Sequence, residues 1–118
     1  MAILSHRLHG ALDYATVLFL ALAPTLFGLT GLAAYMSYGL SVAHLSVTAF
    51  TAFPLGLVGL IPPKLHAAVE LIVGVSLLAA PWLAPGLFAG GQVFFTVFGG
   101  VVLGLWAVTD YAGFSHTA

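Results

Sequence analysis

The chain contains no cysteine and very few charged residues: two basic and three acidic side chains among 118 residues, 4% in total. The missing cysteines exclude disulfides, thiolate catalysis and cysteine-ligated metal sites. Two basic residues leave no electrostatic footprint for nucleic acid, so no nucleic-acid partner is expected. Because soluble domains carry about 25% charged residues, the scarcity of charge predicts a protein that resides in the lipid bilayer.

Long hydrophobic runs make up most of the chain: 62% of its residues are hydrophobic and the mean hydropathy is +1.18. A helix needs about 20 apolar residues to cross the hydrocarbon layer, and the runs predict four such helices. We expect them at Leu8–Ala23 with an extension past Pro24 to Phe27 left open, at Leu32–Phe53, at Lys64–Pro81 or Leu83, and at Gln92–Tyr111. The predicted fold is all-α, a bundle of four transmembrane helices.

The sequence repeats itself once. His9-Gly10-Ala11-Leu12-Asp13 returns as His66-Ala67-Ala68-Val69-Glu70, and Pro24 returns as Pro81, both at an offset of 57 residues (66 − 9 and 81 − 24). Thr51 returns as Thr109 at an offset of 58 (109 − 51). Each repeat holds two helices, so we predict one membrane domain of two tandem hairpins, about 1–56 and about 57–118, joined by a proline-rich link at 54–63.

The charged residues indicate the orientation. All of them lie near the side shared by the two termini and the central link: Arg7, Asp13, Lys64, Glu70 and Asp110. Two basic residues on that side and none in the opposite turns predict, by the positive-inside rule, that both termini are cytoplasmic. Ala21-Leu22-Ala23 is like a signal-peptidase site, but the matching run at 65–81 is internal, so we interpret the first run as a retained helix.

Short motifs mark corresponding places in the two repeats. Ala80-Pro81-Trp82 ends the third predicted helix, Ala23-Pro24-Thr25 ends the first, and Thr109-Asp110-Tyr111 closes the second repeat. In these motifs, and in the histidine four residues before a carboxylate that opens each repeat, the chain resembles the SPW-repeat family of small bacterial and archaeal membrane proteins. It departs from the family pattern in having no serine before either proline, no tryptophan in the first repeat, and Ala52-Phe53 in place of Asp-Tyr. The resemblance implies a four-helix repeat protein of the inner (plasma) membrane and brings no known activity with it.

His9 and Asp13, like His66 and Glu70, are four residues apart and therefore share a helix face. We expect both pairs at the same depth, facing the axis between the repeats, because a carboxylate inside an apolar helix cannot face lipid cheaply. Imidazole and carboxylate suit Zn, Fe or Mn, so these four residues are the candidate metal site, with a coupled proton site as the other functional interpretation. The structural alternative, which the sequence alone favours, is a pair of interfacial anchors near helix N-termini.

His44 has no repeat partner among the histidines, since its equivalent position holds Val102. It lies about 14 Å from the inner end of the second predicted helix, close to the bilayer midplane. One hypothesis makes His44 the cofactor-binding residue, an axial ligand of haem or of a chlorophyll-type pigment. The alternative, which a lone histidine favours, is a hydrogen bond to Ser41, Thr48 or a group across the bundle.

Two further expectations concern the fourth helix. Gly100 and Gly104 form a small-xxx-small pair that predicts close helix contact, either within the bundle or with another subunit. Asp110 follows at the helix C-terminus, where the dipole disfavours an anion, so we expect an ion pair with Lys64 or Arg7.

The sequence holds no nucleophile–base set and no phosphate loop, so no catalytic residue is assigned and no enzyme is expected. The leading hypothesis is a small integral membrane accessory or scaffold protein that associates with itself or with a larger membrane complex. Two alternatives stay open. One is a haem- or pigment-binding subunit of an electron-transfer or photosynthetic complex, and the other is a transporter or sensor of protons or divalent metal built on the His9, Asp13, His66 and Glu70 set.

Overall fold

The computed structural model describes residues 5–52 and 55–109 of the chain. Four α-helices and one short 3₁₀ helix form in this part, which contains no strand. The helices are α1 (His6–Phe27), α2 (Gly31–Ala49), α3 (Pro63–Leu83) and α4 (Gln92–Val108), with the 3₁₀ helix Pro85–Phe88 before α4. The predicted all-α fold is confirmed, and two of the helices, α1 and α3, are long and apolar enough to cross a membrane.

Helix α1 continues through Pro24, so the extension to Phe27 that the sequence left open is present, and the helix ends at Gly28 in the left-handed conformation (φ 67). Proline at position 24 has no N–H to donate to the carbonyl of Leu20. That carbonyl instead accepts a hydrogen bond of 2.7 Å from Ser37 Oγ of α2. The neighbouring helix therefore satisfies the backbone group that the proline leaves without a donor.

The prediction that the second helix continues to Phe53 is wrong, because α2 ends at Ala49. Proline at position 54 cannot donate to the carbonyl of Phe50, which a longer helix would require. The central link folds back instead: N–H groups of the link donate to the Ala49 carbonyl, and the N–H of Ile61 donates to the Phe50 carbonyl. The end of α2 is thus capped by the link, and Thr51 lies just beyond the helix.

The other two helices follow the predicted bounds more closely. Helix α3 begins at Pro63, in the first helical turn where proline is tolerated, and continues through Pro81 to Leu83, the longer of the two predicted ends. Helix α4 begins at Gln92 as predicted, and its described part ends at Val108. Tyr111, the predicted end, lies outside the described residues.

Helix α1 packs along α2 and α3 packs along α4, so the described chain forms two helical hairpins. The helices of the second hairpin approach each other closely at Gly74 and Gly99, where a Cβ placed on Gly99 would lie 2.9 Å from the Gly74 carbonyl oxygen. The sequence pointed to other glycines. A Cβ placed on Gly104 meets nothing within 4 Å, and one on Gly100 meets only Leu78 at 3.9 Å, so this pair makes no close helix contact within the described chain.

Polar as well as apolar side chains are buried, since an apolar core around Leu20, Leu77 and Phe95 accompanies the polar residues between the helices. Polar and charged residues lie buried between the helices: His9, Asp13, Ser37, Ser41, Thr48, Thr51, His66, Glu70 and Thr109. Large apolar side chains point outward on all four helices, among them Leu18, Leu22, Val42, Leu45, Ile72, Val75, Val97 and Val101. An apolar exterior of this extent indicates a surface covered by something other than water.

The two hairpins leave different spaces between them. An apolar groove of about 660 Å³ lies between α1 and α4, with Thr16, Phe19 and Phe94 in its walls. The repeat-related position, between α2 and α3, holds a cavity of only about 60 Å³ beside His44 and Val73. The two spaces therefore differ in volume, although the helices that line them occupy matching places in the sequence repeat.

Candidate metal centre

The two repeated histidine–carboxylate pairs meet in one cluster between α1 and α3. His9 and Asp13 come from α1, and His66 and Glu70 come from the matching turns of α3. All four are buried, with 5% exposure or less. The structure therefore brings together the four residues that the sequence proposed as a metal site. The structural alternative, a pair of interfacial anchors near the helix N-termini, stays a prediction.

Four short nitrogen–oxygen distances define the cluster. His9 Nε2 lies 3.2 Å from Asp13 Oδ2 and 3.0 Å from Glu70 Oε1. His66 Nε2 lies 3.2 Å from the same Asp13 oxygen and 3.1 Å from the same Glu70 oxygen. One ligand atom from each residue can be chosen so that all four are within 4.8 Å of one another. Nitrogen and oxygen thus alternate around a common centre, and each histidine contacts the carboxylates of both hairpins.

A proton or a cation has to lie between these nitrogen and oxygen atoms. An imidazole lone pair that faces an anionic oxygen at about 3 Å is repelled by it, so the contact requires either a proton on Nε2 or a cation between the atoms. Protons on the two Nε2 atoms would satisfy Glu70, whose Oε1 makes hydrogen bonds with both His9 Nε2 and His66 Nε2. Asp13 Oδ2 makes ion-pair contacts of 3.2 Å with the same two nitrogens, but neither contact has good hydrogen-bond geometry.

The donor atoms lie close enough together to share a first-row divalent transition metal. Ligand atoms at about 2.0–2.2 Å from a tetrahedral Zn²⁺ stand about 3.3–3.6 Å from one another. Four of the six distances here are a little shorter, 3.0–3.2 Å, and all six are within 4.8 Å. Two imidazole nitrogens and two carboxylate oxygens also belong to the donor set that such metals accept. Ca²⁺ needs six to eight oxygen ligands at about 2.3–2.6 Å and does not match this donor set. An ion at the centre would contact all four residues, including Asp13 Oδ2.

The second ring nitrogen of each of these two histidines, Nδ1, forms a hydrogen bond with a threonine of the other hairpin. His9 Nδ1 lies 2.6 Å from Thr109 Oγ1, at the end of α4, and His66 Nδ1 lies 2.7 Å from Thr51 Oγ1, at the end of α2. Sequence reasoning aligned the two threonines as repeat partners but gave them no role. The sequence did contain a signal for this role, because the two threonines recur at nearly the same offset as the two histidines.

His44 belongs to the same cluster, which its place in the sequence did not suggest. Its Nε2 lies 3.2 Å from Asp13 Oδ1, so the ring N–H donates to the carboxylate oxygen that faces away from the centre. Of the expected partners, Ser41 is not the one found, since it donates to the carbonyl of Val17. The hydrogen-bonding alternative is the one observed, through a group on another helix, and a haem or pigment at His44 stays a prediction.

Comparison of the chain with known protein families, with curated proteins and with solved structures finds no match. The resemblance to the SPW-repeat family therefore stays a prediction based on the short motifs around Pro24 and Pro81. The expected ion pair of Asp110 with Lys64 or Arg7 cannot be located, since Asp110 lies outside the described residues.

Proposed function

We propose that this chain is a non-catalytic integral membrane protein in which one divalent transition-metal ion joins the two helical hairpins. The observation that carries the proposal is the convergence of two imidazole nitrogens and two carboxylate oxygens, all from buried residues and all within 4.8 Å of one another, with Asp13 Oδ2 3.2 Å from both histidine nitrogens. Two carboxylates buried side by side are costly unless positive charge compensates them. A metal ion bound at the centre removes that cost.

The membrane location is supported by the apolar exterior and by helix length. At about 1.5 Å per residue, the 22 residues of α1 and the 21 of α3 extend about 33 and 32 Å, enough for a hydrocarbon core of about 30 Å. Helices α2 and α4, with 19 and 17 residues, extend about 28 and 26 Å. We include all four as membrane spans, with both termini on the cytoplasmic side of a bacterial or archaeal inner membrane.

The ligand set favours a structural role over catalysis. Metal sites that catalyse reactions keep a coordination position open for water or substrate, whereas structural sites are closed by four protein ligands. Here His9, Asp13, His66 and Glu70 supply four ligand atoms, and all four residues are buried. The protein is therefore a metal-stabilised scaffold, alone or within a larger membrane complex, whose assembly responds to the supply of metal.

The proposal is tested by the metal content of the protein purified in detergent. We expect about one equivalent of a first-row transition metal per chain, retained through dialysis without a chelator. Replacement of the native ion by Co²⁺ should give the visible absorption bands of a four-coordinate site. The double variant Asp13→Asn with Glu70→Gln keeps side-chain volume, removes both charges, and should contain no metal.

Tyr14→Phe provides a matched control. Tyr14 is next to Asp13 on α1, but its hydroxyl donates to the carbonyl of Leu55, so this variant should keep the wild-type metal content. A wild-type protein that binds none of Zn²⁺, Fe²⁺, Mn²⁺ or Co²⁺ would overturn the proposal and leave protons as the only positive charges in the cluster. Equal metal content in the wild type and the double variant would place the ion elsewhere.

A further inference from the structure

We infer that Thr51 and Thr109 are positioning residues for the metal: each fixes the ring of the opposite hairpin's histidine so that Nε2 is the coordinating atom. The inference rests on the proposed metal-binding function and extends it to two residues outside the ligand set. It is carried by the pattern of donors and acceptors around the two hydroxyl groups.

The direction of the threonine–histidine hydrogen bonds follows from proton counting. Thr51 Oγ1 lies 2.5 Å from the carbonyl oxygen of Val47, and Thr109 Oγ1 lies 2.5 Å from that of Leu105. A carbonyl oxygen can only accept, so each hydroxyl proton is donated to the backbone. The 2.7 Å contact of Thr51 with His66 can then be made only if the histidine donates, through Nδ1–H, to the hydroxyl oxygen.

The same reasoning applies to the second pair, in which His9 Nδ1 lies 2.6 Å from Thr109 Oγ1 and donates its proton to it. A neutral imidazole carries one N–H, so placing it on Nδ1 leaves the lone pair on Nε2. Both Nε2 atoms are the ones that face Asp13 and Glu70. The threonines therefore select the tautomer that a metal ion at the centre requires, as the hydrogen-bonded second nitrogen does at other histidine–metal sites.

Burial makes the two Nδ1–H groups depend on the threonine hydroxyls as their acceptors. Both histidines are at most 1% exposed, so water cannot replace a lost acceptor at Nδ1. The rings of His9 and His66 also contact each other edge to face, with centroids 5.8 Å apart. A ring turned about χ2 would lose its threonine and would point Nδ1 away from it. Removal of one hydroxyl thus affects the orientation of a ligand without removing the ligand.

The first test measures metal affinity. Thr51→Val and Thr109→Val should each weaken Zn²⁺ binding about 10- to 100-fold, the usual effect of losing the partner of a coordinating histidine. Thr51→Ser and Thr109→Ser keep the hydroxyl and should stay within a few-fold of the wild type. Thr16→Val is the matched control, because Thr16 makes the same bond to the carbonyl four residues earlier, that of Leu12, but lines the groove between α1 and α4.

Nitrogen-15 NMR of histidine-labelled protein gives a readout that loss of stability would not produce. In the wild type both Nδ1 atoms should carry a proton, with and without Zn²⁺, and Zn²⁺ should shift the Nε2 signals. In Thr51→Val the pattern of His66 should change and that of His9 should persist, with the reverse in Thr109→Val. An unprotonated Nδ1 in the wild type, or coordination through Nδ1, would overturn the inference even if the valine variants fail to fold.

The two proposals fail in different ways. In one outcome the wild type binds no metal, but both Nδ1 atoms are protonated and each responds to substitution of the threonine that it contacts. The proposed function and the role of the threonines in positioning a metal are then both wrong, while the hydrogen-bond directions hold. If metal binds with wild-type affinity in both valine variants, the function stands and the positioning role is wrong.

Discussion

Gly99 of α4 lies against the backbone of Gly74 of α3, and a Cβ placed on Gly99 would stand 2.9 Å from both the Gly74 carbonyl oxygen and Leu77 Cβ. Gly99→Ala should force these helices apart and destabilise the protein by about 1–3 kcal/mol, the usual cost of overpacking. Gly100→Ala places its Cβ 3.9 Å from Leu78 and should be neutral. Unfolding in detergent measures both variants, and equal stabilities would contradict the packing.

Metal removal should lower the stability of the wild type. An ion that binds only the folded protein stabilises it by about 2.7 kcal/mol when its free concentration is about 100 times the dissociation constant. A chelator should therefore lower the melting temperature in detergent, and excess Zn²⁺ should restore it. The double variant Asp13→Asn with Glu70→Gln should have the same melting temperature with the chelator as with excess Zn²⁺. An unchanged wild type would argue against a metal that joins the hairpins.

His44 should affect the metal through Asp13, because its ring donates to Asp13 Oδ1 at 3.2 Å. We expect His44→Leu to weaken Co²⁺ or Zn²⁺ binding about 10-fold, at the lower end of such outer-shell effects, and to alter the Co²⁺ spectrum. Ser41→Ala is the control: it removes a neighbouring bond between α2 and α1, to the carbonyl of Val17. If both variants lower stability and neither changes the affinity, His44 has only a packing role.

The proposed four spans place the central link on one side of the membrane and the two short turns on the other. The chain has no cysteine, so single cysteines can be introduced without removing native ones. Leu57→Cys in the link should react with an impermeant maleimide only in opened cells. Thr30→Cys and Gly86→Cys, both at exposed positions in the turns, should react in intact cells. Labelling of Leu57→Cys and Gly86→Cys from the same side would rule out four spans.

Much of the fold follows from local sequence. The apolar runs and the prolines predict the helices because a span must satisfy its backbone internally, and a proline disrupts that pattern at a known position. The end of α2 was misplaced by four residues since its carbonyls are capped by the link, whose N–H groups come from residues up to Ile61. Such a contact between segments has no local signature.

The sequence predicted only the part of the candidate site that recurs in the repeat, the two histidine–carboxylate pairs. His9 and His66, with a carboxylate four residues later in each case, share a helix face and a place in the repeat, and both facts are visible in the sequence. The position of Thr109 against His9, 100 residues apart, depends on how the hairpins dock. The identity of the group that His44 contacts was not predictable for the same reason: the sequence gives the depth of His44, whereas the direction of its ring depends on the packing of α2 against α1.

The exchange of threonines between the hairpins bears on how the two halves of the chain depend on each other. Each of the histidines His9 and His66 has its carboxylate neighbour on its own helix but its hydroxyl acceptor on the other hairpin. Separation of the hairpins would therefore leave both imidazole rings without their acceptors at Nδ1, even though each hairpin would keep its own histidine–carboxylate pair.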